Sequence, residues 1–173
     1  QMCIRDSYTS AVFGEDLDSP QQVGASAAER TLSRLGPQKP ATGQFPVVYH
    51  QRVAGSLVGT LAGAINGAAI ARGTSFLKDS MGEQITSPGL TFIDDPLRPR
   101  GMASRLFDGE GLAVSRRAMV EDGVLKSWFL DIASATKLGL APTGQAARGM
   151  GSSPAPGSSN FYLCLLYTSP SPR

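Results

Sequence analysis

VAGSLVGTLAGAINGAAI, residues 53–70, decides how this chain is read. It holds no charged side chain, and Gly55, Gly59, Gly63 and Gly67 recur at every fourth position. Residues four apart drift by only about 40° around an α-helix, so the glycines would form one slowly winding ridge. In a helix interior each glycine costs about 0.5–1 kcal/mol relative to alanine. Close approach of another backbone, or of a partner, is the usual compensation. The stretch predicts one long, buried, Gly/Ala-rich helix, with Gly55, Gly59, Gly63 and Gly67 as packing or partner-interface candidates. A membrane span is the rival reading, because small residues spaced by four also suit helix pairs in lipid. Ser56, Thr60 and Asn66 interrupt the apolar run, and no aromatic belt flanks it, so no membrane association is expected.

Working outward, Ser19-Pro20-Gln21-Gln22 has the form of a helix start, with serine at the cap, proline at the first position and glutamine at the third. Val23, Ala27, Leu32 and Leu35 give that helix an apolar side, and Gly36-Pro37 ends it. Residues 38–44 read as an exposed linker. Residues 45–50 (FPVVYH) read as a short apolar strand, with Pro46 at its start or on an edge. Residues 90–94 predict a buried strand. Asp122-Gly123, between residues 116–121 and 124–131, predicts a β-hairpin with a type I′ turn. Residues 132–138 suit a short helix closed by Gly139, and residues 146–159 read as loop. The fold class is α+β, with antiparallel strands and a β-hairpin packed with the long helix.

The two ends read differently from the rest. CLLYTS, residues 164–169, can be written TGT-CTC-TTA-TAC-ACA-TCT, whose reverse complement encodes Met-Cys-Ile-Arg-Asp, the sequence of residues 2–6. An inverted DNA repeat read from both sides resembles a transposase adapter, so residues 1–7 and 164–173 are expected to be adapter-derived tails. The organisation expected between them is a connector with a helix over residues 8–44 and a larger domain over 45–163, itself an internal piece of a longer chain. Both cysteines, Cys3 and Cys164, fall in the tails, which leaves no disulfide or thiolate chemistry to argue. The chain has 16 basic and 14 acidic residues; without Arg5, Asp6 and Arg173 they become 14 and 13. That balance exerts no pull toward nucleic acid or an anionic membrane. Cysteine-free composition points to the cytoplasm.

Several polar groups invite a functional reading. Asp94-Asp95 and Asp108-Gly109-Glu110-Gly111 offer paired carboxylates, able to serve as acid and base or to hold a hard cation. Asp108 and Glu110 also belong to a glycine-rich turn, where such residues are expected for conformation alone. Arg98, Arg100 and Arg105 suit a carboxylate or phosphate, or pair with those acids. His50, the single histidine, lacks companions for a metal site and is expected to be structural. Gly149-Met150-Gly151 is too short for a phosphate loop. Ser56, Thr60 and Ser75 have no histidine base set by sequence.

Eight blocks in one order resemble the TldD/PmbA family of metallopeptidases. They run from Pro46-Val47-Val48 through Leu61-Ala62-Gly63-Ala64-Ile65-Asn66-Gly67, Arg72-Gly73-Thr74-Ser75-Phe76-Leu77 and Met81-Gly82-Glu83-Gln84-Ile85. They continue with Asp94-Asp95-Pro96, Phe107-Asp108-Gly109-Glu110-Gly111, Val120-Glu121-Asp122-Gly123-Val124-Leu125, and Ala135-Thr136-Lys137-Leu138-Gly139-Leu140 followed by Pro142-Thr143-Gly144. In the catalytic branch, the resemblance implies a His-Glu-x-x-x-His motif on the glycine helix, with the glutamate set to activate a metal-bound water. With Gly73-Thr74-Ser75 as anchor, the two histidines fall on Val58 and Gly63, and the glutamate on Gly59. The chain therefore resembles the PmbA branch, also called TldE, and neither catalytic nor metal-ligating residues are expected in it. What the resemblance implies is a fragment of the non-catalytic partner of a heteromeric metallopeptidase, with peptide substrates that include modified peptide precursors. A TldD-like subunit would carry the zinc, and no cofactor is expected in this chain. The alternatives are an independent hydrolase whose site lies beyond residue 163, and a membrane-associated structural protein using the glycine helix.

Overall fold

The computed structural model describes residues 6–164. Two units divide between Val48 and Tyr49. In the first, a 3-10 turn at Gly14–Asp16 precedes helix α1, Pro20–Leu32. The predicted capping box is present: the Ser19 hydroxyl accepts from Gln22 N at 3.3 Å, and Gln22 Oε1 accepts from Ser19 N at 2.8 Å. Such caps are worth about 1 kcal/mol, and proline at the first position sacrifices no bond. Arg30 Nη1 donates to the carbonyl of Asp6 at 2.9 Å. No residue of α1 is buried, and Leu32 and Leu35 are exposed.

The expected strand over residues 45–50 does not form. The segment has no regular structure, pairs with no strand and is exposed throughout. Apolar character alone cannot make a strand without a neighbouring edge to take its backbone bonds. His50 instead caps the next helix, its Nδ1 accepting from Arg52 N at 3.2 Å.

The second unit carries the core. Where one helix was expected over residues 53–70, two are found: α2, Gln51–Ala64, and α3, Gly67–Arg72. The cause of the break is visible in the backbone. Phe129 N donates to Ile65 O at 3.0 Å and Gly67 N donates to Phe129 O at 2.8 Å, a one-residue parallel bridge between Asn66 and Phe129. These groups bond sideways rather than along a helix, and Asn66 restarts the helix by accepting from Ala68 N at 3.0 Å. The expectation of a buried helix is also corrected. Most of α2 is exposed, whereas Ala64, Ile65, Gly67 and Ile70 are buried around the break.

A four-stranded antiparallel sheet follows, in the order β3 (Val124–Leu125), β2 (Arg117–Glu121), β1 (Thr91–Asp94), β6 (Phe161–Cys164). Strand β1 (Thr91–Asp94) is buried along its whole length. It pairs with β2 (Arg117–Glu121), and a register irregularity lies between Phe92 and Ile93. The hairpin turn is as expected, with φ +49° at Asp122 and +80° at Gly123. Gly123 sits so tightly that a Cβ there would meet Gln84, Thr86 and Ser87. The returning strand β3 is only Val124–Leu125, shorter than the expected run to residue 131. Beyond Leu125 the chain leaves the sheet to wrap the core, and Phe129 makes its bridge to Asn66. Helix α4, Ile132–Leu138, is capped by Asp131 and closed by Gly139 in the left-handed region.

Residues 146–159 were expected to be loop, yet β4 (Ala146–Ala147) and β5 (Ala155–Pro156) pair within them. Strand β6, Phe161–Cys164, completes the sheet, with Thr91 opposite Cys164 and Asp94 opposite Phe161. Of the expected tails, residues 1–5 and 165–173 lie outside the described residues. The core gathers Ile65, Met119, Val120, Leu125 and Phe129, all at 1% exposure or less. Phe161 packs edge-on against Phe129, with ring centroids 5.4 Å apart at 86°. Aromatic pairs of this geometry add about 0.5–1.5 kcal/mol beyond their burial.

Candidate functional site

A groove of about 380 Å³ runs between α2 and the segment leading into β6. Gly55, Val58, Gly59 and Ala62 form one wall, and Ser158, Ser159, Phe161, Tyr162 and Leu163 the other. Its position follows from the chain around it. Val58, Leu61 and Ala62 rest on the core from the outside, so the remaining turns of α2 present glycine outward. A Cβ built on Gly55, Gly59 or Gly63 would meet nothing within 4 Å. The glycine ridge is thus not a core-packing surface along α2, and only Gly67 makes the close approach expected of all four. A Cβ at Gly67 would overlap the Phe129 carbonyl oxygen, and would lie 2.7 Å from Leu130 Cδ2 and 2.8 Å from Ser134 Oγ.

Val58 supplies an isopropyl group, and Gly59 and Gly63 supply hydrogen. A zinc site needs nitrogen, oxygen or sulfur donors, so these three positions do not fit a metal. Among the described residues, no three His, Cys, Asp or Glu side chains gather into a group that could hold one.

The acidic candidates are each engaged by backbone or side-chain donors. Asp94 is fully buried; its Oδ1 accepts from Ser159 N at 2.7 Å and its Oδ2 from Gln145 Nε2 at 2.8 Å. These bonds tie the central strand to the turn before β6. Asp95 accepts from Leu97 N at 3.1 Å and pairs with Arg116 at 3.7 Å. The Asp108 carboxylate accepts from three backbone groups: Glu110 N and Leu112 N at 2.9 Å, and Ala146 N at 3.1 Å. Glu110 reaches the start of α4, accepting from Ile132 N at 2.8 Å, where a carboxylate also suits the helix dipole. Carboxylates engaged in this way hold turns and strands together.

Among the arginines, Arg98 stacks on Tyr162, with Cζ 5.1 Å from the ring centroid, and this sets a cation at one end of the groove wall. Arg100 is exposed with φ +57°. Arg116, rather than Arg98, makes the ion pair to Asp95. Ser56, Thr60 and Ser75 each donate to a backbone carbonyl, of Val53, Ser56 and Ala64 respectively. Gly149-Met150-Gly151 forms a turn in which Gly149 N donates to Ser152 Oγ at 3.0 Å. The groove wall at residues 158–163 and the break at Asn66 were not anticipated. Aromatic and apolar residues Phe161-Tyr162-Leu163 directly after a Gly/Ser-rich stretch were the available signal for the strand.

The model of the PmbA/TldA metallopeptidase C-terminal domain matches residues 42–170. The chain belongs to the PmbA/TldD family of metallopeptidases. It is 45% identical over 140 residues to the metalloprotease PmbA of Escherichia coli O157:H7, covering 81% of this chain and 31% of the relative. The crystal structure of a proposed modulator of a DNA gyrase from Thermotoga maritima is similar at TM-score 0.80 and 30% identity, covering 89% of this chain and 35% of that one. TldE from Thermococcus kodakarensis is similar at TM-score 0.58 and 28% identity, covering 64% and 25% respectively. The chain spans about a third of the length of the curated relative it matches. No described helix is long and apolar enough to cross a membrane.

Proposed function

We propose that the chain is part of a PmbA/TldE-like subunit that lacks its own catalytic metal and works with a TldD-like, zinc-bearing subunit in the cytoplasm. The pair would trim peptides, modified peptide precursors among them. One observation carries this reading. At Val58, Gly59 and Gly63, where the family's catalytic motif would stand, α2 offers no donor atom, yet it keeps an open, uncharged face along Gly55, Gly59 and Gly63. An exposed glycine-rich helix face is costly to keep in water and suits close contact with another chain.

The test uses the full-length protein, purified alone and together with a TldD-like sibling that carries His-Glu-x-x-x-His. The expected result is peptide cleavage only in the mixture, with zinc present in proportion to the sibling. Stoichiometric zinc and cleavage by the full-length protein alone would overturn the reading. That outcome would favour an independent hydrolase whose catalytic residues lie outside this chain.

A further inference from the structure

Asn66 and Gly67 are each fixed by a different demand of the fold. Asn66 caps α3 through Oδ1 and donates its Nδ2 to the carbonyl of Pro156 at 2.9 Å. Gly67 cannot carry a side chain, because a Cβ would enter the Phe129 carbonyl, Leu130 and Ser134. The fold thereby requires an asparagine followed by glycine, the dipeptide that deamidates most readily in an unfolded chain. In that reaction the Gly67 backbone nitrogen attacks Asn66 Cγ. A new C–N bond forms, the Cγ–Nδ2 bond breaks, and Nδ2 leaves as ammonia with the proton from Gly67. Water then opens the cyclic imide to aspartate or isoaspartate.

We infer that Asn66–Gly67 is a latent deamidation site that the folded α2–α3 junction silences and local opening exposes. The attacking nitrogen and both polar atoms of the Asn66 side chain are engaged. Gly67 N donates to Phe129 O at 2.8 Å, and Gly67 is buried. The Asn66 amide is held on both sides, by Ala68 N and by Pro156 O. The attacking nitrogen reaches Cγ only after the bridge to Phe129 and the amide tether both release. The modification then works against closure. Aspartate can still cap α3, but it sets a carboxylate against the Pro156 carbonyl where an N–H donor stood. Isoaspartate adds a backbone atom inside the bridge that fixes Ile65 and Gly67 to Phe129. Each opening that ends in reaction thus removes a molecule from the pool that can refold.

The chain supplies its own control, because its other asparagine, Asn160, precedes the bulky Phe161. The full-length protein is incubated folded, in sub-denaturing urea and fully unfolded, in mildly alkaline buffer. Peptide mapping by mass spectrometry then follows deamidation at both asparagines. Mass separates it from isomerisation at Asp108-Gly109 and Asp122-Gly123, which leaves the mass unchanged. Deamidation at Asn66 is expected to be about a hundredfold or more slower in the folded protein than in the unfolded one, the protection given by about 2.8 kcal/mol of local opening. The rate should climb through the sub-denaturing range, while Asn160 stays slow throughout. Folded and unfolded rates at Asn66 within about twofold of each other, or no faster reaction at Asn66 than at Asn160 once unfolded, would overturn the inference.

Discussion

Gly63 and Gly67 stand four residues apart on what the sequence presents as one ridge, and the structure gives them opposite surroundings. Around Gly67 there is no room: a carbonyl, a leucine methyl and a serine hydroxyl converge where a side chain would be. Around Gly63, and equally Gly59 and Gly55, there is nothing within 4 Å of a built Cβ. The same residue at the same spacing therefore serves two purposes. One glycine is fixed by packing inside this chain. The other three cost helix stability with no return from the described residues, which is what a surface reserved for another molecule would look like.

The sharpest way to break this contrast is Gly67→Ala. The added methyl presses on a backbone carbonyl that is itself bonded, so relief requires the α2–α3 junction to move off residues 129–134. Overpacking of this kind costs typically 1–3 kcal/mol, and a backbone neighbour places the expected loss near the upper end, at about 3 kcal/mol. Urea unfolding of the full-length protein measures it. A loss below about 1 kcal/mol would mean that the close approach is not real, and the two glycine environments would then not differ.

Next comes Asn66→Ala, which keeps the backbone but removes the cap on Ala68 N and the tether to Pro156 O. A lost cap costs about 0.5–2 kcal/mol, and the carbonyl of buried Pro156 loses its donor. The expected loss is about 2 kcal/mol by the same measurement. Asn66→Ser, which can still cap, should recover about half. Equal losses for the two variants would show that the tether, not the cap, restarts the helix.

Much of the fold is legible in the amino-acid sequence, because local signals coincide with local causes. Ser19 with Gln22, Asp122-Gly123 and Gly139 each mark a boundary through bonds or dihedral angles made within a few residues. The misreadings share the opposite cause. Residues 45–50 look like a strand only if they pair with the edge of a sheet, and among the described residues they pair with none. Residues 53–70 look like one helix unless Phe129, more than sixty positions away, bonds to the backbone at residues 65–67. The β4–β5 pair is held at Ala146 by Asp108, again far off in sequence. The site divides in the same way. The absence of donors at Val58, Gly59 and Gly63 can be read directly from residue types. Whether their helix face is covered could not be, since exposure depends on where β6 and its preceding turn come to rest.

On α2, Gly63→Leu tests whether the open face serves association. A leucine there has space and a better helix propensity than glycine, so the subunit alone should not be destabilised. Sedimentation with the TldD-like sibling should nevertheless show weakened association, by about 1–3 kcal/mol if the faces meet closely. Unchanged stability with unchanged association would remove this helix face from the proposed interface.

The smallest effect is the most diagnostic, because its sign is reversed. Gly59→Ala adds one methyl at a helical position where nothing lies within 4 Å and the backbone does not require positive φ. Alanine is favoured over glycine in a helix by about 0.5–1 kcal/mol, through lower backbone entropy in the unfolded chain. The subunit alone should therefore become more stable by about that amount, whereas the same methyl at Gly67 destabilises. A joint measurement decides what the glycine is for. Higher stability with weaker binding to the sibling would mean that Gly59 is kept for close contact, at the expense of the free subunit. Higher stability with unaltered binding would mean that α2 contacts its partner elsewhere. Lower stability would mean that α2 is covered in the full-length protein by residues beyond this chain, and its open face would then belong to the interior.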